Sequence, residues 1–328
     1  MPRGAVRGAR HSNRRSRRTF WTLTVCLVVV LAAAVTVSGG YAWSLQHTIQ
    51  SNTTYVSDAL SHDAHKNDDR ARGVENILLL GSDERPEGSR IKGQRADVIM
   101  LLHMNEAHTH AYVISFPRDL WVDVPGHGKA KLNAALAYGG LRLAVRTVED
   151  VAGVPINHVA MIDFDGFAKL TKQLGGVTVD VSQSFTTRDF TFERGRQKLD
   201  GAEALSFVRE RHAFKDGGFQ RMRNQQAFLR GVLRAVLNKD TLGRPDKVSK
   251  LVQTLAPYLT VDSAFTPKSM VALGWSMRKI TMNHVDFLTA PHGAPGRSDS
   301  GASIVKADPD AMTELTHALN NDSMADFA

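Results

Sequence analysis

Apolar and polar positions fall in blocks along this chain. Residues 20–43, FWTLTVCLVVVLAAAVTVSGGYAW, form one uncharged run. Roughly 20 apolar residues is the length that crosses a bilayer. Residues 44–73 are polar and read as a stem or linker. The body expected from Val74 onward opens with three β-rich apolar runs, Asn76–Leu80, Val98–His103 and Ala111–Phe116. A helical period covers Leu132–Tyr138, breaks at Gly139-Gly140 and resumes over Leu141–Ala152. His158–Phe164 reads as a strand, Gly166–Leu174 as a helix and Val177–Val181 as a strand. Helical patterns occupy Gly201–Glu210, Gln220–Asn238, Lys247–Tyr258, Pro267–Arg278 and Pro309–Asn320, with a late strand at His284–Leu288. Strands alternating with helices predict a layered α/β domain with helices on both faces of a sheet.

Charge locates the chain. The net charge is +8, but seven arginines precede residue 20 with no acid among them; without them 34 basic residues face 33 acidic ones. The excess therefore belongs to a tail, and a near-neutral body argues against a broad DNA-binding face. Arginines on one side of the 20–43 run place that side in the cytoplasm. The run is longer than the apolar region of a cleaved signal peptide, so it reads as a transmembrane anchor. The expected organisation is a cytoplasmic Arg-rich tail (1–19), an anchor (20–43), a stem (44–73) and an external domain (74–328). The single cysteine, Cys26, lies inside the anchor, so no disulfide staples the exported part.

Candidate chemistry concentrates between the first two strands. The stretch LLGSDERPEGSRIKGQRADVIM sets Asp83 and Asp97 at strand boundaries, with Arg85, Arg90, Lys92 and Arg95 between them. Two carboxylates on one rim repel unless a cation lies between them. Mg²⁺ suits such a pair, because it combines one or two carboxylates with substrate phosphates. A second cluster, FVRERHAFKDGGFQRMRNQQ, supplies Arg209 and Arg211, and puts Arg221 and Gln225 four residues apart on one helical face. Arg118 adds a guanidinium after the third strand. Guanidinium forks match phosphate oxygens and stay charged near neutrality, so they serve as clamps rather than proton carriers. The competing reading is a set of structural pairs with Glu203, Glu210 and Asp216. His108-Thr109-His110 reads as a hairpin turn rather than a zinc site. No G-x-S-x-G elbow, H-E-x-x-H or Walker loop is present.

Several ordered segments carry a resemblance: NILLLGSDER, QRADVIML, VISFPRDLWVDVPG, KLNAALAYGG, INHVAMIDFDGFAKLTKQLGGVTVDV, GRQKLDG, ALSFVRERH and RMRNQQ. Over residues 74 to 292 the chain resembles the LytR-CpsA-Psr family of cell-envelope phosphotransferases. The resemblance implies a three-layer α/β/α sandwich around a central mixed sheet, with an apolar pocket for a polyprenyl chain, behind one N-terminal membrane helix. It implies a bacterial membrane protein with its catalytic domain outside. Its implied partners are Mg²⁺, a polyprenyl-pyrophosphate-linked glycan and peptidoglycan, with no nucleic acid. Asp83 and Asp97 match the metal-associated acids. Arg85, Arg118, Arg209, Arg211 and Arg221, with Gln225 beside them, match the pyrophosphate-binding positions; Asp97 and Arg118 are the expected catalytic pair. The chain departs from the family pattern at Gly218, where relatives often carry an acid that Asp216 would replace, and at Asn224, often basic in relatives. The rival expectations are a metal-dependent hydrolase using water as acceptor, a membrane-bound transcriptional regulator and a non-catalytic lipid-carrier binder.

Overall fold

The computed structural model describes residues 43–44, 46–60, 73–82, 95–236 and 244–328. The expected anchor lies outside these residues apart from Trp43, and among the described residues no helix is long and apolar enough to cross a membrane. The strands are β1 (Thr54–Val56), β2 (Glu75–Ser82), β3 (Ala96–Met104), β4 (Ala111–Ser115), β5 (Leu120–Val124), β6 (Gly128–Lys131), β7 (His158–Asp163), β8 (Val177–Val181), β9 (Phe185–Thr186), β10 (Thr191–Phe192), β11 (Gly195–Leu199), β12 (Leu259–Asp262), β13 (Val285–Thr289), β14 (His292–Arg297) and β15 (Ser303–Ala307). The helices are α1 (Ala134–Ala152), α2 (Phe164–Gln173), α3 (Gly201–Arg209), α4 (Gly217–Val236), α5 (Pro245–Leu255), α6 (Pro267–Ser276), α7 (Pro309–Asn320) and α8 (Met324–Phe327).

A seven-stranded mixed sheet runs β1-β12-β7-β2-β3-β4-β13. β2 is antiparallel to β3 and parallel to β7, which puts the end of β2 beside the start of β3. Side chains alternate across it. Leu78, Leu80, Ile99, Leu101, Tyr112 and Ile114 pack on one face with α1 and α7. Ile77, Met100, Met104, Ala111 and Val113 face the other way, against Leu229 and Leu233 of α4 and Met270 and Leu273 of α6. That period of two buries both faces, as a layered α/β domain requires. Helix starts obey local chemistry: Asp163, Thr266 and Asp308 each accept a hydrogen bond from a backbone N–H in the first turn of the helix they precede.

One expectation changes. β1 pairs with β12, and Ala59 is buried in the main core, so part of the segment expected as a stem belongs to the fold. The expected break at Gly139-Gly140 is present: Gly139 (φ −141°, ψ 15°) and Gly140 (φ 69°, ψ −160°) both leave the helical region, so two helical stretches meet in α1 at a kink, with Gly140 in a conformation open to glycine. The sequence reading also lacks a second sheet, β14-β15-β5-β6, and the β8–β11 ribbon.

His103, central in β3, is fully buried. Its Nδ1 lies 2.7 Å from Oδ1 of Asn76. The Asn76 amide nitrogen already donates to the Pro155 carbonyl, so His103 donates at Nδ1. Nε2 is then a buried lone pair with no partner, and burial holds the imidazole down to about 4. Between about 4 and 6.5 the unfolded chain binds a proton that the folded chain refuses. Stability is therefore full above 6.5 and falls with pH across that window, by up to about 3 kcal/mol for this one group. Urea midpoints at pH 7, 5.5 and 4.5 should show this loss, and His103→Gln should flatten it; an equal slope in the variant would refute the assignment.

Candidate active site

The loop that carries the paired aspartates begins where β2 ends. Asp83 and Arg85 lie outside the described residues; Asp97 is the second residue of β3. Next to it stands Arg118, in the Pro117-Arg118-Asp119 turn. The backbone of that turn is pinned three ways. Leu120 N–H bonds the Pro117 carbonyl at 2.9 Å, Asn133 N–H bonds the Arg118 carbonyl at 3.0 Å, and Val305 N–H bonds the Asp119 carbonyl at 2.9 Å. The second sheet thus anchors the residue that enters the site. Arg118 Nη1 donates to Asp97 Oδ1, and its Nε lies 3.4 Å from Asp119 Oδ2. Asp119 is held in turn by Lys131 Nζ at 2.9 Å. The buried Nε–H of Arg118 makes no hydrogen bond, so the guanidinium is positioned by one hydrogen bond to Asp97 and the ion pair with Asp119, which limits the rotamer freedom it loses on binding an anion.

The other wall comes from α3, α4 and the loop between them. Arg209 closes α3, and Glu210 organises the loop. Its Oε1 accepts from the backbone N–H groups of Arg211, His212 and Ala213 at 2.9, 2.5 and 2.9 Å. Gly217 starts α4 where any Cβ would strike the Arg211 carbonyl, so glycine lets the helix close on this loop. Asp216 pairs with Arg223 at 2.5 Å. Glu210 and Asp216, offered as counter-ions to the cluster, therefore have other work, and Asp216 does not replace the acid missing at Gly218. Asn224 is buried, accepting from Gln220 and donating to the Phe207 carbonyl.

Arg95, Arg118, Arg209, Arg211 and Arg221 converge on a cleft of about 430 Å³, with Asp97, His212 and Gln225. Arg221 is 6% exposed. Burial, then the neighbouring Arg118, lower its guanidinium to about 10, with Arg211 acting the same way and Asp97, 3.9 Å away, opposing. It remains a cation at neutrality. Five guanidinium groups around one carboxylate repel one another until an anion enters. A smaller lobe, lined by Phe116, Asp119, Gly218 and Phe219, opens off the same Asp97, Arg118 and Arg221.

Behind the cleft lies a cavity of about 230 Å³ between β2, β3 and β7 of the sheet and helices α2 and α4. Leu79, Val98, Met100, Ala160, Phe167, Phe228, Leu229 and Val232 line it. Gln225 and Val208 border both spaces, so the cationic cleft and the apolar cavity meet there. The expected i, i+4 face of α4 is present, with Arg221 and Gln225 both on the cleft.

Of the residues singled out from sequence, Asp97, Arg118, Arg209, Arg211, Arg221 and Gln225 come together. Arg95, named only as part of the cationic loop, joins them, whereas His212, Asp119 and Lys131 were not among those singled out. Asp119 is next to Arg118 in sequence, but nothing local signals that Lys131 returns to it. Among the described residues no group of three or more His, Cys, Asp or Glu side chains is arranged to hold a metal ion.

The fold and site define a layered α/β protein with a cluster of guanidinium groups bordering an apolar cavity. The chain belongs to the LytR_cpsA_psr family, whose model matches residues 42–321. It is 31% identical over 253 residues to a polyisoprenyl-teichoic acid–peptidoglycan teichoic acid transferase TagU of Bacillus anthracis, covering 75% of this chain and 80% of that one. It is 25% identical to the Enterococcus faecalis TagU, over 94% of this chain and 98% of that one. A solved structure, TagT bound to LI-WTA, superposes with a TM-score of 0.64 at 25% identity, covering 83% of this chain and 99% of that one.

Proposed function

We propose that this protein transfers a glycan-phosphate from a polyprenyl-pyrophosphate carrier to a hydroxyl of peptidoglycan. The glycan is a polymer of teichoic-acid, capsular or arabinogalactan type. The transfer forms a phosphodiester and releases polyprenyl phosphate. The observation that carries this reading is the junction at Gln225 and Val208, where five arginines give way to an apolar cavity. A prenyl chain in the cavity delivers its pyrophosphate to the guanidinium cluster. The names of the TagU relatives support the same donor and acceptor classes. The arginines line a cleft that shares Gln225 and Val208 with an apolar cavity, which suits a lipid-linked phosphate better than a nucleic-acid duplex.

The acceptor hydroxyl attacks the phosphorus nearer the glycan. The new P–O bond forms as the bond to the bridging oxygen breaks, and polyprenyl phosphate leaves with the electron pair. Such a transition state is loose and asks mainly for in-line placement and charge neutralisation. Arg118, fixed between Asp97 and Asp119, and the buried Arg221 hold the transferring phosphoryl; Arg209 and Arg211 take the leaving phosphate, with Gln225 at the head of the chain. The family resemblance assigns the same pyrophosphate-binding role to Arg85, which lies outside the described residues. Asp97 accepts the hydroxyl proton. A loose transition state releases that proton late, so little basicity is asked of its acceptor.

Mg²⁺ fits part of this donor set: Asp97 offers a hard oxygen beside a phosphate cleft, and Asp83 would bring a second from the loop. When bound it would neutralise charge on the pyrophosphate. In this reading residues 20–43 anchor the chain in a bacterial cell membrane, with the tail cytoplasmic and the catalytic domain outside.

The test incubates the full chain in detergent with a synthetic polyprenyl-pyrophosphoryl sugar, a peptidoglycan oligomer, and Mg²⁺ or chelator, with mass spectrometry of the products. A phosphodiester adduct that chelator abolishes is expected. Phosphorylated sugar alone would make the protein a hydrolase. Donor retained without turnover would make it a carrier-binding protein.

A further inference from the structure

Helix α6 carries a surface the transfer reaction does not use. Met270 and Leu273 on one side of it, with Met277 just beyond, pack against the sheet. On the other side Lys268, Val271, Ala272 and Trp275 recur at intervals of three and four, and all are exposed. Trp275 is 70% exposed and Val271 43%. Arg278 and Lys279 continue the line, both exposed. The Arg278 guanidinium sits 5.1 Å from the centre of the Trp275 ring and donates to the Trp275 carbonyl at 2.9 Å. Residues 263–285 contain no acid. Glu75 and Glu106 border the same hollow as Arg278 and Lys279, so the cations mark this surface only in combination with the indole and the aliphatic stripe.

A helix stripe that faces water is ordinarily polar. Here the water-facing stripe is apolar at its centre and cationic at its ends. Tryptophan with flanking Lys and Arg is the residue set that settles at the headgroup level of a bilayer, with the ring toward the acyl chains and the cations on lipid phosphates. We propose that this face of α6 lies on an anionic membrane surface. Leu229 of α4 both lines the apolar cavity and packs in the cluster that α6 covers, so this contact turns the cavity's side of the sheet toward the lipid. Membrane contact of this kind stands on the stripe and does not depend on the transfer reaction.

The test uses the full chain. Cys26 is its only cysteine, so Cys26→Ser with Ala272→Cys carries a single nitroxide label next to Trp275. The chain is reconstituted into vesicles of phosphatidylcholine alone or with phosphatidylglycerol. Collision of the label with oxygen, which partitions into lipid, is compared with collision with a water-soluble nickel chelate. Oxygen access with nickel exclusion is expected in the anionic vesicles. It should be lost in Trp275→Ala and in the Arg278→Glu/Lys279→Glu pair, while a label at the exposed Asp123 reports water throughout. Nickel access in both vesicles overturns the proposal. Equal burial in neutral vesicles overturns its anionic character. Exclusion of both reagents with dipolar broadening between labels overturns it in favour of a second copy. The probe reads depth and not turnover, so an inactive enzyme would leave this result standing.

Discussion

Arg118→Ala is expected to lower kcat/KM for glycan transfer by roughly 10²–10³, the cost of removing one preorganised donor from a developing anion. The geometry says why this arginine should dominate. It is hydrogen-bonded to Asp97 at Nη1 and ion-paired with Asp119, and its turn is bonded to two other elements. It therefore meets the phosphate already oriented. Arg118→Lys should recover little, because a point charge replaces a planar fork. The fold should survive the change. The Arg118 side chain is 19% exposed and Asp97 21%, and Arg221 remains 3.9 Å from the carboxylate, so water and that guanidinium compensate its charge and the stability loss stays at about 1 kcal/mol. Steady-state kinetics alongside thermal melts separate the two effects. Activity within a few-fold of the parent would remove Arg118 from the reaction.

The second sheet explains both the strength of this prediction and the limits of the sequence reading. β2, β3 and β4 are legible because each is an apolar run closed by polar turn residues, and Val177–Val181 and Pro309–Asn320 are read with their observed bounds. β14, HGAPGR, has no apolar period and contains a proline and two glycines; it exists because β15 pairs with it. β5 and β6 are short and joined by a tight turn, so they read as loop. Yet this sheet fixes the Arg118 turn through Val305. The arginines themselves are legible as residue types, since clusters of guanidinium in an otherwise neutral body ask for an anion. What pairing each makes is not legible. Glu210 is spent on three backbone amides, Asp216 on Arg223, and Lys131 reaches Asp119 from the next strand pair. The apolar cavity is the hardest feature to read. Phe228, Leu229 and Val232 keep the same helical period whether they fill a core or line a void, and only the packing of α4 over the sheet distinguishes the two.

Filling that void is expected to disable the enzyme without unfolding it. Ala160 stands on β7, paired with Leu79 of β2 and Val261 of β12, and lines the cavity. Ala160→Phe places a ring where the first isoprene units would lie. The consequence is steric more than hydrophobic. A prenyl donor waiting in a membrane or micelle already has its chain in apolar surroundings, so the cavity offers it position rather than escape from water. With the proximal chain displaced, the pyrophosphate stops short of Arg118 and Arg221. A misplacement of about 1 Å costs on the order of 10²-fold in rate. Long-chain donors should lose that much, and a donor carrying a single isoprene unit considerably less. The melting temperature should hold or rise, because atoms lining a void regain contacts when it is filled. This pairing of lost transfer with kept stability separates a lipid channel from ordinary core, where an added ring strains its neighbours and lowers stability. Equal loss for both donors together with a lower melting temperature would mean that the cavity is a packing defect and that the prenyl chain binds elsewhere.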